Sequence, residues 1–345
     1  MKKKILFIAP GNSIHSKRWV EHFKNDYEIF WISFHEFRED ITIDKNKLSY
    51  IKYNFTNIFK IILQVHKLFK LHNPKIIHIH SVSKYLILSS LLIIKQNRMK
   101  NIIATVWGSD YKLSSTLVRK LITNLLKKIK LVTTDSFEIF NNFKSININV
   151  EKINFGIDTD FFYPSQQKHE KILVNPRGFE NIYSPYTFLK AINNIKNKIC
   201  NLQFVIIGDG PEKVNIDKYI LKNNLKGLIT VKSKLNFIEY LNLIHKSMGM
   251  VSCSLSDAGI SSSIAEFMSC NKIIVATNNS DNSYWINDKV NGFLFENENS
   301  DQLSDILLKL DKNINGITFE NRELIVKNNN YQDEMLKIKE IYKNI

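Results

Sequence analysis

The chain has 345 residues, 44% of them hydrophobic, which is room for two ordinary domain cores. Its three cysteines, Cys200, Cys253 and Cys270, are odd in number and far apart. That excludes a disulfide framework or a zinc spacing and points to a reducing cytosol. The net charge of +15 is confined to residues 1–150, with 25 Lys+Arg against 10 Asp+Glu, while residues 151–345 hold 23 of each. The N-terminal apolar run, Ile5 to Pro10, has six residues, too short for the core of a signal peptide and right for a first strand. The longest mostly apolar run without a charge, Tyr85 to Ile94, has ten residues. A membrane-spanning helix needs about 20. The expectation is therefore a soluble, cytoplasmic protein without an export signal.

In chain order, KILFIA and YEIFWISF read as strands with the helix SKRWVEHFK between them, and LSYIKYNF follows as a strand. NIFKIILQVHKLFKL puts Ile58, Ile61, Ile62, Val65, Leu68 and Phe69 on one helical face. KIIHIHS reads as a strand, KYLILSSLLIIKQ as a helix and NIIATVW as a strand. LVRKLITNLLKKIK is again an amphipathic helix, and LVTTDS a short strand. After INFGIDTDFFYPSQQKHEK the alternation restarts, with KILVNPR, QFVIIGDGP, GLITVKS, MGMVSCS and KIIVATN as strands. Such alternation predicts an α/β protein of two Rossmann-like, doubly wound domains facing a central cleft.

The segment SLSDAGISSSIAEFMSC, Ser254 to Cys270, carries the clearest site. Ser263 and Glu266 have capping-box spacing, so a helix is expected to start at Ser263 with Glu266 reaching back. The small residues Gly259, Ser261, Ser262 and Ser263 let an anion approach the first amides of that helix. Gly11 and Asn12 after the first strand, and Gly208 with Gly210 in IIGDGPE, form glycine turns at strand ends, either plain turns or phosphate contacts. His78 and His80 alternate on a strand and are expected on opposite faces, with His80 toward the strand's carboxyl end. His15, Lys17 and Arg18 follow the first loop and either meet a phosphate or face solvent.

The ordered set ILFIAPGNSIHSKRWVEHF, KIIHIHS, ATVWGSDY, INFGIDTDFFYP, FVIIGDGPE, AEFMSCNKIIVATNNSDNSYWINDKVNGFLF and IKEIYKNI resembles the group-one, or family four, glycosyltransferases of the GT-B fold. The resemblance spans nearly the whole chain. It implies an N-terminal, acceptor-binding domain over 1–160, a C-terminal, nucleotide-sugar-binding domain over 161–330, and a last helix, 331–345, packing back on the first domain. It implies a retaining hexosyltransferase that uses a nucleotide sugar, UDP-linked by expectation, as co-substrate, with no cofactor and no metal. Arg177 would neutralise the donor diphosphate, Glu266 would hold the ribose hydroxyls, and Asp257 would stand nearest the donor sugar. This chain departs from the pattern at three places. Ala258 stands where a second glutamate is usual, Tyr183 where a lysine is usual, and Trp107 where a histidine is usual. Asp110 is then the nearest acid on the acceptor side, with His80 and Trp107 beside it.

The acceptor implied is a lipid-linked, lipopolysaccharide or capsule glycan. Alternatives are a catalytically degenerate binding protein and a nucleotide-sugar epimerase of the same fold. From Lys45 to Ser109 there are eleven Lys or Arg and no acid. An anionic membrane surface, met peripherally on its cytoplasmic face, or a merely solvated face answers to that run. No nucleic-acid partner is expected, since the aromatic-plus-basic motifs of the known modules are missing.

Overall fold

The structure, a computed structural model, describes residues 2–90, 101–279, 281–312 and 320–345. It divides into one unit of Met1–Phe155 with Gln332–Ile345 and a second of Gly156–Tyr331. The division falls five residues before the expected boundary at 160, and the C-terminal segment belongs to the first unit.

The first unit is built on a parallel sheet of β1 (Lys4–Ile8), β2 (Glu28–Ser33), β3 (Leu48–Tyr50), β4 (Ile76–His80), β5 (Ile102–Val106), β6 (Leu131–Thr134) and β7 (Val150–Lys152). The strand order is β3-β2-β1-β4-β5-β6-β7. One sheet face is covered by α2 (Ile58–His72), α3 (Thr116–Leu126) and α4 (Phe137–Ser145). Their inward residues, among them Ile61, Val65, Ile122, Leu125 and Phe143, share one core with Leu6, Ile8, Ile77 and Ile79. The other face receives α1 (Ile14–His22), capped by Ser13, whose hydroxyl accepts from the Ser16 amide. The described part of the helix expected over KYLILSSLLIIKQ begins as a wide π-helical turn, Val82–Leu86. Residues 91 onward of that expectation lie outside the described residues.

The expectation for His78 and His80 is corrected. Residues two apart on a strand share a face. Both rings lie on the α1 side, with centroids 4.5 Å apart. The C-terminal helix α11 (Tyr331–Lys343) packs on that side too. The Tyr342 hydroxyl pairs with His78 Nδ1 at 2.5 Å, and Lys339 pairs with Asp26 at 2.6 Å.

The second unit carries β8 (Ile172–Asn175), β9 (Gln203–Ile207), β10 (Ile229–Lys232), β11 (Gly249–Ser252), β12 (Ile273–Thr277) and β13 (Phe293–Phe295), all parallel in the order β10-β9-β8-β11-β12-β13. Its helices include α5 (Pro185–Ile195), α6 (Lys213–Lys222), α7 (Phe237–Lys246), α8 (Ser262–Ser269), α9 (Ser300–Lys312) and α10 (Asn321–Asn329). The short strands β7 and β13 were not foreseen, because three residues show no alternation to read. In each sheet the winding reverses beside its first strand, between β1 and β4 and between β8 and β11. Open parallel sheets bind ligands outside the carboxyl ends of strands at such a reversal. Among the described residues, no helix is long and apolar enough to cross a membrane.

Candidate functional site

At the second reversal, β8 ends in Asn175 and the chain turns through Pro176 to Arg177. The Arg177 guanidinium donates from Nε to Ser254 Oγ at 3.1 Å, from Nη1 to Ser263 Oγ at 3.4 Å and from Nη2 to Asp257 Oδ1 at 2.6 Å. Its flat face lies over the Tyr183 ring, 4.4 Å from the centroid. So the tyrosine that stands in place of the usual lysine supplies a π-face to the arginine in place of a second charge. Both charged side chains are mostly buried, Arg177 at 13% exposed and Asp257 at 8%. The second Asp257 oxygen, Oδ2, is buried with no hydrogen-bond partner among the described residues.

The helix after this loop starts two residues before the expected place. Ser261 is the N-cap of α8, and its hydroxyl accepts from the Ile264 amide at 3.4 Å. The capping box expected between Ser263 and Glu266 does not form. Three consecutive serines offered three starting registers, and the Ser263 hydroxyl is drawn to Arg177 and to Ser261. Ser262 and Ser263 thereby become the first helical residues, whose amides have no partner within a helix. Glu266 accepts a hydrogen bond from the Tyr240 hydroxyl at 2.8 Å. Burial, then the Glu266 carboxylate, push the Tyr240 phenol well above its ordinary value, so it stays a donor. Tyr240 sits on α7, and nothing in the sequence pointed to it; Ser254 opens the segment singled out in the sequence, though no role was expected of it.

Gly208 and Gly210 brace this loop from behind. A Cβ on Gly208 would lie 2.9 Å from the Arg177 carbonyl oxygen, and one on Gly210 would lie 2.9 Å from the Phe179 backbone. Gly210 also has φ of +153°. Their placement accounts for the glycine pair through close backbone approach. Gly259 is buried within the loop that leads to α8.

The remaining expected residues belong to the first unit. The Gly11 amide donates to Ser33 Oγ at 2.8 Å, and a Cβ there would strike Phe37 at 2.6 Å. Asn12 beside it is exposed. Lys17 is taken by Asp40 at 3.2 Å. His80 is fully buried against Trp19, with centroids 5.0 Å apart, and has Trp107 at 6.2 Å. Burial pushes its pKa down to about 3, and neither ring nitrogen has a partner among the described residues. His80 is thus a neutral, enclosed ring and not an exposed acceptor contact. Asp110, expected as the acid of the acceptor side, spends its oxygens on backbone: Oδ2 accepts from the Val82 amide at 2.6 Å and Oδ1 from the Trp107 amide at 3.0 Å. Burial pushes its pKa up to about 6 against the pull of those amides. It ties the loop after β4 to the loop after β5. Among the described residues, no group of three or more His, Cys, Asp or Glu is disposed to hold a metal ion.

Residues 157–332, nearly the whole second unit, match the family model for glycosyl transferases group 1, and residues 4–136 match that for glycosyl transferase 4-like proteins. The chain belongs to the group 1 glycosyltransferases. Its relatives include an uncharacterized glycosyltransferase of Methanocaldococcus jannaschii, 29% identical over 170 residues, which are 49% of this chain and 42% of that protein. The chain thus matches under half the length of its curated relative. Among solved structures it resembles a glycosyltransferase from Rickettsia africae, with TM-score 0.77 and 19% identity, covering 99% of this chain and 98% of that one. It also resembles Anabaena HepE in complex with UDP, with TM-score 0.80 and 12% identity over the whole of both chains. The apo lipopolysaccharide outer core galactosyltransferase WaaB follows, with TM-score 0.71 and 14% identity over 99% of this chain and 100% of that one. At these identities the likenesses establish the fold, which is GT-B.

Proposed function

We propose that this glycosyltransferase moves a hexose from a UDP-linked donor to a hydroxyl of a lipid-linked, lipopolysaccharide or capsule glycan, with retention of configuration, in the cytosol or on the inner face of the membrane. The observation that carries the reading is the Arg177 guanidinium, held by Ser254, Asp257 and Ser263 beside the N-terminus of α8. The UDP complex of Anabaena HepE and the acceptor class in the name of WaaB support the donor and acceptor named.

The hard step is departure of a diphosphate from the sugar's C1. Negative charge grows on the leaving oxygens, and donors already in place stabilise it without reorganising. Arg177 supplies a fixed cation, and Ser262 and Ser263 supply first-turn amides at the positive end of the α8 dipole. Glu266, aimed by Tyr240, accepts the two ribose hydroxyls. Asp257 Oδ2, buried and without a partner among the described residues, is an acceptor waiting for a hydroxyl of the sugar. In this reading the departing phosphate oxygen takes the acceptor's proton on the same face, which keeps the anomeric configuration.

The test is calorimetric titration of UDP, followed by turnover of UDP-sugars with a lipid-linked glycan acceptor and assignment of the product anomer by NMR. UDP at about 100 times its Kd should stabilise the protein by ~2.7 kcal/mol. Absence of UDP binding, or an inverted product, overturns the reading. A non-catalytic binding protein is the second reading, favoured by the Arg177–Asp257 ion pair, with which a diphosphate must compete. UDP binding without donor hydrolysis or transfer would establish it.

A further inference from the structure

We propose that the outward faces of α2 and α3 form one docking surface for an anionic lipid bilayer. Both helices cover the same face of the first sheet, so their outer sides look away from it together. On α2 the inward residues Ile61, Val65 and Phe69 are at most 4% exposed. Its outward arc carries Phe59 at 85%, Leu63 at 62% and Leu71 at 72% exposure, with exposed Lys60, Lys67 and Lys70 interleaved. At about 100° per residue those six fall within about 120° of arc. The helix is thus apolar toward its core and apolar-plus-cationic toward solvent. On α3, Leu117 at 82% and Leu121 at 46% exposure lie one turn apart, with exposed Lys120 between them in the sequence and exposed Lys128 just past the helix end, and Leu113 at 78% stands in the loop before the helix.

Scattered exposed leucines are normal, but rows of them on two helices of one layer need a partner. Charge decides which. Residues 45–109 hold eleven Lys or Arg and no acid. The next acid, Asp110, is turned to backbone amides. Arg119 does not belong to the free cations, because it donates to the Lys112 and Ser114 carbonyls. Protein interfaces deplete lysine from their apolar centres, and a nucleic-acid backbone offers no place for leucine. A headgroup layer takes both, with apolar tips entering the acyl boundary while lysine ends stay at the phosphates. Each cation contributes ~1 kcal/mol near an anionic leaflet, and that pull fades beyond a Debye length of ~8 Å. Binding of this kind is reversible and needs no spanning helix. It is independent of which donor the second unit takes.

The experiment is sedimentation of the full chain, without nucleotide, with vesicles of phosphatidylcholine alone or with about one quarter phosphatidylglycerol. The protein should pellet with the anionic vesicles at about 0.05 M salt, largely release at about 0.5 M, and ignore the neutral ones. The triple variant Lys60→Glu, Lys67→Glu, Lys70→Glu should lose at least tenfold in partitioning. The pair Phe59→Ser, Leu117→Ser should weaken binding several-fold with every charge retained, a loss that a purely electrostatic contact would not show. These positions face solvent, so an unchanged Tm accompanies each variant. In Phe59→Trp, the emission should shift to the blue only with anionic vesicles. Failure to pellet with anionic vesicles at low salt overturns the proposal. So does an unmoved emission, or an apolar pair that changes only a dimerisation equilibrium seen by ultracentrifugation.

Discussion

Arg177 shows how a single side chain is prepared before any ligand arrives. A free arginine would lose rotamer entropy on meeting a diphosphate, whereas this one is already fixed by three oxygens and an aromatic face. Arg177→Ala should lower kcat/KM at least 100-fold, about 3 kcal/mol, with the fold intact. Arg177→Lys should recover little, since an ammonium cannot match that fork of partners. Steady-state turnover of the two variants decides it, and a fully active lysine variant would refute the geometric role. Tyr240 is the complementary case. It positions Glu266 at 2.8 Å without itself needing to reach a ligand. Removing the hydroxyl in Tyr240→Phe should weaken UDP binding about fivefold, the equivalent of ~1 kcal/mol, while Tm stays within a few degrees. Glu266→Gln should do likewise, because an amide presents one acceptor oxygen where a carboxylate presents two. Equal UDP affinity for wild type and both variants would remove Glu266 from the site.

At the scale of elements, β4 and α1 each bring an acid-sensitive histidine ring, His80 and His15, into the first unit. Burial holds His80 down to about 3 and His15 to about 4, both below an unfolded value near 6.5. Above pH 6.5 both forms of the chain are neutral at these rings, and the stability they allow is fully present. Below it the unfolded chain takes up protons that the folded chain refuses, so stability falls as pH drops from about 6.5 toward 4. Each ring contributes up to ~1.4 kcal/mol per pH unit in that window. Urea unfolding at a series of pH values should show this, and His80→Phe should flatten part of the slope. An unchanged slope in that variant would mean that other groups carry the acid sensitivity. The helix α8 holds the lesson on legibility. Its approximate position and its small N-terminal residues were readable, since Ser, Gly and an apolar run announce a start. Its register was not, because three serines are equivalent caps until Arg177, 86 residues before Ser263, engages one of them.

At the scale of the whole molecule, the chain leaves the first unit at Phe155 and returns at Gln332. Just inside the second unit the two passages are stitched together. The Ile157 amide donates to the Asn329 carbonyl at 2.8 Å, and the Tyr331 amide donates to the Ile157 carbonyl at 2.9 Å. Gly156 has φ of +75°, and a Cβ there would lie 2.5 Å from Tyr331 Cα. Gly156→Ala should therefore destabilise the protein by more than about 2 kcal/mol, read as a lowered Tm, although the residue touches no candidate site. A variant as stable as wild type would show that the passage yields. The amino-acid sequence by itself determined the two α/β units, the places of most strands along the chain, the uneven charge and the run of small residues before the helix in the Ser254–Cys270 segment. Each of these is written in local periodicity or composition, which act over a few residues. Only the tertiary structure decided that Asp257 holds Arg177, that Tyr240 and not a capping box holds Glu266, that Asp110 serves backbone amides, and that His80 is sealed beside His78. The contacts that decide them join residues far apart in the chain, Arg177 with Asp257, Tyr240 with Glu266, Asp110 with Val82 and His80 with Trp19, and sheet order and packing set such meetings, which leave no local periodicity to read.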